Sequence, residues 1–65
     1  MVTVSHIVKK IVSGQPFVEE ALGSRIISVA NLAEQILPKI EQELGKKVKH
    51  AAAVMALRRY ADEIA

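Results

Sequence analysis

The sequence predicts an all-α domain of four helices, and three observations carry that prediction. Apolar residues recur at helical spacing in separate stretches along the chain. The breaks between those stretches fall on residues that start or stop helices: Thr3, Gly14, Pro16, Gly23, Ser28 and Gly45. No stretch shows the strict alternation of a half-buried strand. Residues 1–65 make a single helical domain. A chain this short hides only about 60% of the surface its unfolded form exposes, so self-association would supply core it lacks.

The first helix is expected over about 3–13. Val4, Ile7, Val8, Ile11 and Val12 follow the i, i+3, i+4, i+7, i+8 spacing of one apolar face, and His6, Lys9 and Lys10 take the other. Thr3 is the expected N-cap, and Gly14 the left-handed stop. The second helix, 16–22, opens on Pro16, which forfeits no hydrogen bond at the first helical position. Glu19 and Glu20 near its start suit the helix dipole. Phe17, Ala21 and Leu22 are expected to face the core, and Gly23 to end the helix. Arg25-Ile26-Ile27 reads as a brief extended connector whose isoleucines plug into the body.

Ser28 caps the third helix, 29–44, in which Val29, Leu32, Ala33, Ile36, Leu37, Ile40 and Leu44 form one stripe. The stripe keeps its phase across Pro38, which favours one helix kinked at Pro38 over two separate ones. Gly45 closes it. The last helix is expected over about 47–64. Ala53, Val54, Ala56, Leu57, Tyr60, Ala61 and Ile64 share its broad inner face. Lys49, Ala52, Arg58, Arg59, Asp62 and Glu63 lie opposite, with Val48 and Met55 among them. The last two helices form an elongated helix-turn-helix-like pair.

Composition removes several function classes. There is no cysteine, hence no disulfide framework and no thiolate metal site. The longest apolar run, Ala51 to Leu57, is far short of the roughly 20 residues of a membrane span. Lys9 and Lys10 interrupt any secretion pattern at the N-terminus. The expectation is a cytoplasmic protein without membrane contact. Phe17 and Tyr60 are the only aromatics, too few for single-strand stacking platforms. His6 and His50 lack a partner at metal-ligand spacing. Gly45-Lys46 lacks the upstream glycine and the following Ser or Thr of a phosphate loop. Glu19-Glu20 and Asp62-Glu63 are adjacent, so each pair diverges on a helix surface. The chain reads as no enzyme, with no metal, cofactor or small-molecule substrate.

Charge is distributed unevenly. Residues 44–60 carry Lys46, Lys47, Lys49, Arg58 and Arg59 and no carboxylate, whereas residues 1–43 carry slightly more acid than base. A local basic patch on a mixed surface points to an anionic partner. Lys46, Lys47, Lys49, Arg58 and Arg59 are therefore the expected phosphate contacts on double-stranded DNA. His50 and Ala52 are expected to face the groove, since small residues let a helix approach base edges. The rival reading is a protein–protein interaction or dimerisation module. It uses Val48 and Met55, apolar side chains on the less buried face of a terminal helix. A homodimer is compatible with DNA binding, because two-fold regulators read paired half-sites.

Two resemblances bear on this reading. Ser28-Val29-Ala30-Asn31-Leu32-Ala33-Glu34-Gln35-Ile36 resembles the first helix of a helix-turn-helix. Leu44-Gly45, Val48-Lys49-His50-Ala51 and Ala56-Leu57-Arg58-Arg59-Tyr60 resemble the turn and recognition helix of bacterial and archaeal transcription regulators. Those motifs join their helices by a few residues, whereas here the first helix extends through Pro38 to Leu44. Over almost the whole chain, Pro16-Phe17-Val18-Glu19-Glu20-Ala21-Leu22, Leu32-Ala33, Pro38-Lys39-Ile40-Glu41, Glu43-Leu44-Gly45-Lys46 and Met55-Ala56-Leu57-Arg58-Arg59 are similar to a small, largely uncharacterised archaeal helical domain. That resemblance implies a helix-turn-helix-like fold, and a role as the DNA-binding part of a longer transcription regulator.

Overall fold

A computed structural model describes residues 3–65 as four helices: α1 Val4–Ser13, α2 Pro16–Gly23, α3 Val29–Leu44 and α4 His50–Ile64. No strand forms among the described residues. The architecture is the all-α four-helix domain that the spacing predicts. α4 packs on α1 and α3, and α2 closes the side between α1 and the C-terminal end of α4. The largest fully buried side chains are Ile7, Val8, Val12, Leu22, Ile40 and Leu57, so every helix contributes to one core. Each of them is worth roughly 1.5–3 kcal/mol in burial.

The helix starts follow local chemistry. Thr3 Oγ1 accepts from the His6 N–H at 3.2 Å, and Ser28 Oγ accepts from Asn31 N–H at 3.3 Å. Gly45, at φ 78°, is the left-handed cap of α3. α3 runs unbroken through Pro38, whose ring lies on the exposed side of the helix.

Several expectations are corrected. Gly14 is right-handed, at φ −80° and ψ −2°, so it caps α1 without the conformation that requires glycine. Gly23 lies inside α2, where an added Cβ would stand 3.2 Å from Cγ1 of Ile64. Its role is close approach of α2 to α4. The left-handed stop falls instead on Arg25, at φ 61°. The Ile26 N–H donates to the Ala21 carbonyl at 3.0 Å and the Arg25 N–H to the Leu22 carbonyl at 3.2 Å. This is a Schellman cap built around an arginine.

The same turn decides the apolar side chains beside it. Ile27 packs against the core, but Ile26 is 80% exposed. Phe17, expected inside, is 88% exposed. α2 turns Val18 and Leu22 inward, and Phe17 is rotated roughly 100° from Val18 and more from Leu22.

Candidate nucleic-acid interface

The start of α4 is where tertiary structure departs most from helical periodicity. Helix is expected from about Lys47, yet α4 begins at His50 with Lys49 as an extended N-cap, φ −72° and ψ 139°. Two contacts hold the preceding segment out of the helix. The Val48 N–H donates to Oε2 of Glu41 at 2.9 Å, and Val48 itself packs on the core. His50 Nε2 lies 3.2 Å from the Ala30 carbonyl. A carbonyl only accepts, so Nε2 carries the hydrogen and Nδ1 is left free. Residues 46–49 therefore double back along α3, and α4 starts beside the N-terminal end of α3.

This path sets the direction of the lysines. Lys47 and Lys49 flank the inward-turned Val48, and in extended chain alternate side chains point to opposite sides. Both lysines are exposed, as is Lys46. Val48 thus belongs to the core edge and is withdrawn from the outward apolar surface. Met55, 57% exposed, remains on it.

Along α4, Ala52 and Arg59 are seven residues apart and fall nearly on one line of the helix, about 10 Å from each other. Arg58 is rotated by about 100° to the other flank of Met55. His50, Ala52, Arg58 and Arg59 are all exposed. Lys49, Ala52 and Arg59 therefore lie along one flank, whereas His50, about 200° round the helix from Ala52, turns its ring to the Ala30 carbonyl of α3 and does not share the groove-facing line expected of it. The structure sets Lys46 and Lys47 on the returning segment, and Arg58 apart from the rest.

Ion pairing separates the basic residues into two groups. Lys9 pairs with Glu63 at 3.2 Å, Lys10 with Glu43 at 3.6 Å and Arg25 with Asp62 at 2.8 Å. Lys46, Lys47, Lys49, Arg58 and Arg59 form no ion pair among the described residues. α4 is also charged against its own dipole. It has no acidic residue in its first turn and no basic residue in its last. Lys49 stands at its positive end, and Asp62 and Glu63 near its negative end. Each such placement costs about 0.3–1 kcal/mol on an exposed helix. Arg25 and Lys9 relieve the carboxylates; nothing in the described chain relieves Lys49.

Between α1 and α4 lies a cleft of about 240 Å³ that residue patterns did not bring out. Ser5, His6 and Lys9 line one wall, Arg59 and Glu63 the other. On each helix these residues repeat at three- and four-residue spacing, which was legible. That the two rows face each other is decided by packing. Below them the Tyr60 hydroxyl donates a hydrogen bond to Oε2 of Glu19 on α2. That bond, helped by burial and by the charges of Glu19 and Glu63, pushes the Tyr60 pKa up to about 12. Lys9 Nζ lies 5.8 Å from the Tyr60 ring centroid, within cation–π range. No three of the described His, Asp and Glu residues converge as a metal site, and no helix of the described chain is long and apolar enough to cross a membrane.

No family model matches the chain, and no curated protein or solved structure is similar enough to count as a match.

Proposed function

We propose that this domain binds double-stranded DNA as a non-enzymatic regulatory module, with the returning segment and the outer flank of α4 against the duplex. One observation carries the reading. The cations of residues 44–60 stand unpaired, while three of the four basic residues before them are matched by carboxylates. Unmatched cations near the positive end of a helix raise the energy of the free protein and favour an anion there. Lys46, Lys47, Lys49, Arg58 and Arg59 contact phosphates. Ala52 permits close approach to the groove.

The test is duplex binding followed by fluorescence across a salt series. Four to five phosphate contacts give a log–log slope of about −3.6 to −4.5. Lys47→Glu with Lys49→Glu is expected to abolish binding while circular dichroism stays helical. Failure of the wild type to bind at low salt would refute the reading, and loss of helix in the double variant would show that the lysines serve the fold. A second reading, homodimerisation, is favoured by one observation: Met55 stands exposed on the outward line of α4 between the two arginines.

A further inference from the structure

The α1/α4 cleft contains more hydrogen-bond donors than the fold uses. Its one carboxylate, Glu63, is already matched by Lys9 at 3.2 Å. Arg59 on the same wall has no carboxylate partner, so the cleft holds a surplus positive charge. The half-buried Ser5 hydroxyl and the His6 ring face the same space, and neither side chain takes part in a hydrogen bond within the described chain. Arg59, His6 and Ser5 thus line one opening from two helices, each with donor capacity that the described chain leaves unused. Ala56, small and set low between them, leaves room for an occupant.

We propose that this cleft is an anion site distinct from the lysine segment and that it takes a phosphoryl group. The donor set selects that chemistry. A carboxylate accepts in one plane and is served by a single arginine fork, whereas a phosphoryl group offers oxygens in three directions to donors on both walls. The available 240 Å³ is several times the roughly 30 Å³ that one water occupies in the liquid. A phosphoryl group with residual hydration fits. Its entry needs Lys9 only to turn from Glu63, and an exposed pair of that kind holds by at most about 1 kcal/mol.

Two sources present this chemistry: a backbone phosphodiester of the duplex, or a free phosphate. In the first case the cleft extends the nucleic-acid surface through Arg59, and the inference then rests on the DNA reading. In the second it stands by itself.

The experiment is a backbone and side-chain shift titration of the isotope-labelled full chain, with inorganic phosphate in one series and a short duplex in the other. Saturable movement of Ser5, His6, Lys9 and Arg59 is expected in at least one series. The affinity of the moving series is expected to fall roughly tenfold in Arg59→Gln and in Ser5→Ala. Both variants sit at the surface or its edge and keep the helical spectrum. Movement with the duplex identifies the phosphodiester as source, and movement with inorganic phosphate alone identifies a free anion. A cleft silent in both series overturns the proposal, as does unchanged affinity in Ser5→Ala. The two readings fail separately. A duplex that shifts residues 46–49 but leaves the cleft still removes the cleft alone. Phosphate that moves the cleft of a protein indifferent to duplex removes only the DNA reading.

Discussion

Tyr60 is a built-in reporter of how α2 is fastened to α4. The chain has one tyrosine, no tryptophan and no cysteine, so ultraviolet absorbance at alkaline pH reports this phenol alone. Its hydroxyl donates to Glu19, 41 residues away in sequence, and that bond is the largest cause of a pKa raised from 10.0 to about 12. Ionising the phenol removes the donor and sets tyrosinate against a carboxylate. Between the unfolded and folded pKa values the native state holds the proton more tightly than the unfolded one. Stability is therefore full below pH 10 and falls as pH rises toward 12. The slope cannot exceed about 1.4 kcal/mol per pH unit. A hydrogen bond to a charged group is worth about 1.5–3 kcal/mol, and because Glu19 is only half-buried a total loss at the lower end of that range is expected. The assay is urea unfolding at several pH values through this window, in wild type and Tyr60→Phe. The two proteins should converge as pH rises, since Phe never had the bond to lose, and the difference between them cancels lysine deprotonation. A tyrosinate midpoint near 10 in protein that is still helical would refute the reasoning, as would parallel stability profiles.

Other perturbations follow from the same geometry. Gly45→Ala is expected to cost about 1–2 kcal/mol by urea unfolding, all of it backbone strain at φ 78°, because nothing lies within 4 Å of the added methyl. Gly14→Ala should be neutral or stabilise by up to about 1 kcal/mol, since the residue is right-handed and its Cβ would meet only ordinary contacts at 3.6 Å. Equal effects at the two glycines would contradict their assigned conformations. Leu57→Ala empties a site with no exposed surface and should cost about 2–5 kcal/mol. That is enough to leave much of a domain this size unfolded at room temperature by circular dichroism. Sedimentation of wild type against Met55→Glu checks the dimer: a shift from dimer to monomer is expected, and monomers in both would remove it.

Helix number, the two side-chain N-caps, the left-handed cap at Gly45 and the buried stripes of α1, α3 and α4 were legible in the sequence. Each depends on residues within about four positions of one another, the range over which a helix turn interacts. Tertiary structure decided what lies between and across helices. That Ile64 packs where a side chain at Gly23 would stand, while the left-handed position falls on Arg25, is not visible in the local residue pattern. Where α4 begins depends on Glu41 capturing the Val48 N–H and on Ala30 holding His50. The sequence counts the same cations whether or not they are neutralised. Their division into matched and unmatched groups rests on partners as remote as Lys9 and Glu63, 54 positions apart, and helical periodicity has no term for contacts at that distance along the chain.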